Sequence, residues 1–190
     1  LIDIVHTSIA AFVPTESVQL IKSREDVQEL LRLGQLIDLV VPRGGEKLIR
    51  FVKEHATMPV VAHDRGLCHV YLHADADPEE ARKIVLNAKA QRSGVCNAME
   101  TLLVHQDFPR AGLIKILQEL QQKSVEVHAC ARTHGLIPGL VLAQDSDFDV
   151  EWLDLKMSLK EVASEQEAIE HIQQHGTHHT EAILTKTPAV

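Results

Sequence analysis

Residues 37–45 read Ile37-Asp-Leu-Val-Val41-Pro-Arg-Gly-Gly45. Five mostly apolar residues run straight into a proline and two glycines. A continuous apolar run of this kind fits a strand of a parallel sheet covered on both faces. Outward from it, Gly45 to His55 reads as a helix and Pro59 to Ala62 as the next strand. Upstream, Val18 to Ile21 is strand-like, and Ser23-Arg-Glu-Asp26 has the form of a capping box. The helix it opens is expected to run to about Leu33 and stop at Gly34, while Leu1 to Phe12 carries apolar residues at helical spacing. This β-α-β-α-β order predicts an α/β fold built on an open parallel sheet.

The alternation continues. Cys68 to His73, Thr101 to His105, Val125 to His128, Leu153 to Val162 and Ala182 to Thr185 read as strands. Asp77-Pro78 opens a helix to about Gln91, with Asp as cap and Pro in the first turn. Ala111 to Gln122 and Ser164 to His175 are further helices, the last ended by Gly176. The pattern breaks between Ala62 and Cys68, at Asp64-Arg-Gly66, which suggests two domains, 1–66 and 67–190. No internal repeat or low-complexity tract is visible.

Composition narrows the function. Aromatic residues are 3% of the chain, so any core is aliphatic. A net charge of -8 disfavours nucleic acid or an anionic membrane as partner, and leaves room for a small anionic substrate in a local basic pocket. Three widely spaced cysteines, Cys68, Cys96 and Cys130, do not make a disulfide framework and point to a reducing, cytoplasmic setting. No apolar run approaches the ~20 residues of a membrane span.

Four places could carry chemistry. Pro42-Arg43-Gly44-Gly45 joins a strand to a helix, where backbone N–H groups attract phosphate and Arg43 adds a charge; taken alone it reads as a tight turn. Arg92-Ser-Gly94-Val-Cys96-Asn97 sets a cysteine in a Gly-flanked turn, the exposure a nucleophile needs, although a lone cysteine is more often a structural thiol. Twelve histidines, among them His63, His69, His128, His134, His171, His178 and His179, lack metal-ligand spacing, so no metal is expected and surface positions are the plainer account. Adjacent His178 and His179 are expected on opposite sides of a strand. Glu151 stands before Trp152-Leu-Asp-Leu at a strand start.

The segment Gln91 to His105, QRSGVCNAMETLLVH, closely resembles the active-site segment of the gamma-glutamyl phosphate reductases (glutamate-5-semialdehyde dehydrogenases), within the aldehyde dehydrogenase superfamily. IDLVVPRGG (37–45), CHVYLHADAD (68–77), EWLDL (151–155), AIEHI (168–172) and HGTHHTEAILT (175–185) match in order. The resemblance implies part of a Rossmann-like NADP-binding domain followed by an aldehyde-dehydrogenase-like catalytic domain. It implies reduction of L-glutamyl 5-phosphate to glutamate 5-semialdehyde with NADPH, in proline biosynthesis. Cys96 would be the nucleophile, its N–H an oxyanion donor with Gly94 and Asn97 in the substrate neighbourhood. Arg43, Gly44 and Gly45 would lie beside the cofactor, and Glu151 would hold the nicotinamide ribose. The glutamate that activates water in hydrolytic aldehyde dehydrogenases has no counterpart at Ala62, with Asp64 the nearest carboxylate. A CoA-dependent acylating dehydrogenase and an inert piece of the fold are the alternatives. Leu1 and Val190 both read as cuts through secondary structure. Family chains are roughly twice this length, so the resemblance implies a longer, homo-oligomeric parent enzyme and a piece that is inactive alone.

Overall fold

The computed structural model describes residues 1–62 and 65–187. His63 and Asp64, on which the expected metal-ligand survey and the Asp64-Arg-Gly66 turn partly rest, lie outside the described residues. The chain divides into two compact units, Leu1–Asp64 and Arg65–Val190. Arg65 and Gly66 thus count with the second unit, where Arg65 Nη1 donates to the Asp149 carbonyl and the Gly66 N–H to Glu151.

In the first unit lie α1 (Ile2–Ile9), α2 (Arg24–Leu30) and α3 (Glu46–His55), with a single 3-10 turn at Thr15–Ser17. Ser23 caps α2 as expected: its Oγ accepts from the Asp26 N–H at 3.0 Å. Past α2, Gly34 stands in the turn Leu33 to Leu36, where any side chain would strike Thr57, whose Oγ1 accepts the Gly34 N–H and donates to the Leu31 carbonyl. The expected strands do not form a sheet here. Ile37 to Val41 and Pro59 to Ala62 meet at one parallel bridge, Val40 to Val60, and Val18 to Ile21 joins no ladder. A strand is held by its neighbours rather than by its own sequence. Two runs bridged at one point leave Leu39, Val41 and Val61 exposed, and among the described residues of this unit Leu31, Pro42, Val52 and Met58 are buried.

The second unit is a six-stranded parallel sheet. Its elements are β1 (Cys68–Leu72), α4 (Pro78–Ala90), β2 (Met99–His105), α5 (Arg110–Gln122), β3 (Glu126–Ala129), β4 (Val141–Leu142), β5 (Lys156–Val162), α6 (Glu165–His175) and β6 (Glu181–Leu184), with a 3-10 segment at Asp145–Asp149. The strand order is β4-β3-β5-β2-β1-β6. Asp77 caps α4 by accepting from the N–H groups of Glu79 and Glu80, with Pro78 in the first turn.

Helices cover both faces, as the handedness of parallel crossovers requires when the chain first winds toward β4 and then returns to β6. One face packs Val70, Leu72, Leu102 and Val104 against Val85 and Ile116 of α4 and α5. The other packs Tyr71, Leu103 and Val162 against Ala168 and Ile172 of α6. Each such aliphatic side chain contributes about 1.5–3 kcal/mol. Two-residue β4 has no counterpart among the expected strands, and β5 begins three residues later than its apolar pattern suggests. Leu153 sits there at φ 50°, a left-handed kink that no strand accommodates.

Candidate active site

Three segments that lead into adjacent strands converge at the amino-terminal edge of the sheet: residues 65–67 before β1, 91–98 before β2 and 151–155 before β5. The middle one carries Cys96. It leaves α4 after Ala90, turns through a hydrogen bond from the Ala98 N–H to the Val95 carbonyl (3.0 Å), and enters β2 at Met99. Cys96 is free and exposed, as are Gly94 and Asn97.

Its backbone is held from behind. The Cys96 carbonyl accepts the Cys68 thiol at 3.2 Å, and Gly66 packs so tightly on that carbonyl that a β-carbon there would overlap the oxygen. Burial pushes the Cys68 thiol up to about 11, so it stays a protonated donor. Glu151 closes the arrangement from the third segment: its Oε1 accepts the Gly66 N–H at 2.8 Å. Gly94 faces the Leu153 carbonyl, which a β-carbon would meet at 3.5 Å. The structure therefore brings together Cys96, Gly94 and Glu151, with Asn97 on the same loop.

Arg43, Gly44 and Gly45 belong to the first unit and are exposed. Gly45 is the N-cap of α3 and has no side chain to cap it, and its carbonyl accepts the Leu48 N–H at 2.9 Å. Gly44 has a steric reason to be glycine: φ is 157° and a β-carbon would approach Leu48 Cδ2 at 2.7 Å. Gly45 has none, since nothing lies within 4 Å of its would-be β-carbon.

The histidines depart from expectation. His69, His73, His105 and His171 are buried rather than scattered on the surface. Alternation along β1 and β2 turns His69, His73 and His105 to the face that α6 covers, where His69 and His171 meet edge-on at 5.6 Å. Burial, with Lys160 close by, pulls His171 down to about 3. His178 and His179 lie in a bend before β6, not on a strand. Among the described residues no group of three or more His, Cys, Asp or Glu could hold a metal ion, and no helix is long and apolar enough to cross a membrane.

Three site residues went unforeseen. Gly66 is one, legible only through its contact. The others are Lys89 and Glu100, whose ammonium and carboxylate meet at 2.9 Å with exposures of 0% and 1%. A signal existed: Lys89 continues the buried stripe of Ala81 and Val85 at four-residue spacing, and Glu100 interrupts an apolar strand.

No family model matches the chain. It is 46% identical over 175 residues to a gamma-glutamyl phosphate reductase from a Nitratiruptor species, covering 91% of this chain and 42% of the relative. It superposes on the crystal structure of gamma-glutamyl phosphate reductase from Thermotoga maritima with a TM-score of 0.93 at 39% identity, over 99% of this chain and 46% of that one. An NADP-dependent glyceraldehyde-3-phosphate dehydrogenase from Bacillus halodurans C-125, complexed with NADP, shares the fold at a TM-score of 0.74 and 16% identity, over 98% of this chain and 48% of that one. The chain spans less than half the length of each. Over the stretch it covers, this chain is similar in sequence to the gamma-glutamyl phosphate reductases and shares their fold.

Proposed function

We infer that this chain forms the acyl-accepting part of an enzyme that reduces L-glutamyl 5-phosphate to L-glutamate 5-semialdehyde with NADPH, a step of proline biosynthesis. The observation that carries this is an exposed Cys96 on a loop whose backbone is pinned from behind by Cys68 and Gly66, with the Glu151 carboxylate tied to the same glycine.

The Cys96 thiolate attacks the acyl carbon and forms a C–S bond. The carbon–oxygen bond to phosphate breaks and phosphate leaves with the electron pair. Among the described residues the Cys96 N–H donates to no other group, which suits it to face the oxyanion that develops. The hydride for the thioacyl carbonyl would come from a nicotinamide when one is bound. Collapse of the thiohemiacetal then breaks the C–S bond, releases the aldehyde and returns Cys96 as thiolate. Within the second unit the residues present suit such a cofactor: Glu151 Oε1 accepts the Gly66 N–H, and among the described residues its second oxygen remains for a ribose hydroxyl.

The test is steady-state turnover by the protein at the length of its relatives. L-glutamyl 5-phosphate should drive NADPH oxidation with stoichiometric phosphate release, abolished by Cys96→Ala. Turnover that requires a CoA thioester instead would overturn the proposal.

A further inference from the structure

The Lys89–Glu100 ion pair lies at the neck of the Cys96 loop. Lys89 is one residue from the end of α4 and Glu100 is the second residue of β2, so their 2.9 Å contact closes the two stems between which residues 91–98 are strung. Both side chains are sealed from solvent. A buried ion pair gives little net stability, because desolvation offsets most of the attraction. An aliphatic pair of similar volume would serve the core as well, so the charges call for another explanation.

Glu100 supplies it. Oε2 takes Lys89, and Oε1 accepts the Leu153 N–H at 3.3 Å. Leu153 is a bulky residue in the left-handed region, which surroundings must impose. Its own carbonyl lies against Gly94 of the Cys96 loop. Two residues before it, Glu151 holds the Gly66 N–H, and Gly66 abuts the Cys96 carbonyl. The contacts form a closed ring through all three segments, with Glu100 where they meet.

We propose that Lys89 and Glu100 are positioning residues: the lysine fixes the carboxylate, and the carboxylate sets the Glu151–Leu153 segment against the Cys96 loop so that nucleophile and ribose-binding carboxylate keep one register. This rests on the roles proposed above for Cys96 and Glu151.

The test compares two double variants of this chain, Lys89→Met/Glu100→Gln and Lys89→Met/Glu100→Met. Both remove the charges and differ in whether residue 100 still offers Leu153 an oxygen. Amide exchange at Leu153 and Gly66 should accelerate about tenfold in the Met/Met variant and stay near wild type in the Met/Gln variant, as loss of one local hydrogen bond predicts. Leu102 and Leu103, in the middle of β2, should be unaffected in both. Emission from Trp152, the chain's single tryptophan, should shift in the Met/Met variant alone. Acylation of Cys96 by acetyl phosphate, read by mass spectrometry, should slow in the same variant and be rescued in the other. A uniform rise in exchange across all strands, or no difference between the two variants at Leu153 and Gly66, would overturn the positioning role. Wild-type protein that never acylates Cys96 would instead overturn the nucleophile assignment, while exchange and emission still decide the role of the pair.

Discussion

Gly66 and the Cys96 carbonyl are in van der Waals contact with no room for a methyl group between them. The contact ties the lead-in to β1 to the loop before β2, and it explains why the backbone of an exposed loop can hold a thiol in a set place.

Gly66→Ala should therefore displace the loop. Overpacking at a tight backbone contact costs about 1–3 kcal/mol, which should appear as a lower thermal midpoint together with slower acylation of Cys96. Gly45→Ala is the control, since its new methyl meets nothing within 4 Å. Its effect should stay below about 1 kcal/mol.

Cys96 and Cys68 should separate by reactivity. Cys96 is exposed and Cys68 is buried, with its thiol raised by that burial to about 11. At pH 8 only about one Cys68 in a thousand is a thiolate. Peptide mapping after brief treatment with iodoacetamide should find Cys96 modified and Cys68 intact. Equal labelling of the two would contradict the packing described for them.

Glu151 should separate structure from cofactor binding. Glu151→Gln keeps an oxygen for the Gly66 N–H, whereas Glu151→Ala loses a bond worth about 1 kcal/mol. In the full-length enzyme both should raise the KM for NADPH, and only the alanine variant should lower the thermal midpoint.

A histidine at the opposite, carboxyl-terminal edge of the sheet gives a pH dependence. His73 donates from Nδ1 to Asp75 at 2.6 Å and from Nε2 to Glu165 at 2.7 Å. The bond to Asp75 chiefly, and that to Glu165, raise His73 above its ordinary 6.5, while His73 holds Asp75 well below its ordinary 3.8. The imidazolium contribution is full below 6.5 and is lost as pH rises through the raised value; the Asp75 contribution is present above 3.8 and is lost on further acidification. The gap in thermal midpoint between wild type and His73→Asn should be widest between these limits and shrink as pH rises through the raised His73 value. A gap independent of pH would mean that His73 acts through packing alone.

The second unit was largely legible because its signals are local. Asp77-Pro78 and Ser164 cap the helices they were expected to open, and Gly176 closes α6. The exposure of Cys96 was legible through Gly94, two residues before it. What escaped depends on partners distant in sequence. Ile37 to Val41 has the composition of a strand but one bridge to hold it. His69 reads as polar and sits at 1% exposure because its Nδ1 finds Glu181, 112 residues away. Gly66, Lys89 and Glu100 carry no motif of their own and owe their roles to the meeting of three lead-in segments.

Trapping of the acyl group tests the central assignment most directly. The protein is incubated with an acyl phosphate in the absence of NADPH, quenched in acid, digested and mapped by mass spectrometry. The predicted result is one acyl adduct, labile to hydroxylamine as a thioester is, on the peptide that carries Cys96 and absent from Cys96→Ala. An adduct confined to Cys68 or Cys130, or one that persists in Cys96→Ala, would contradict it.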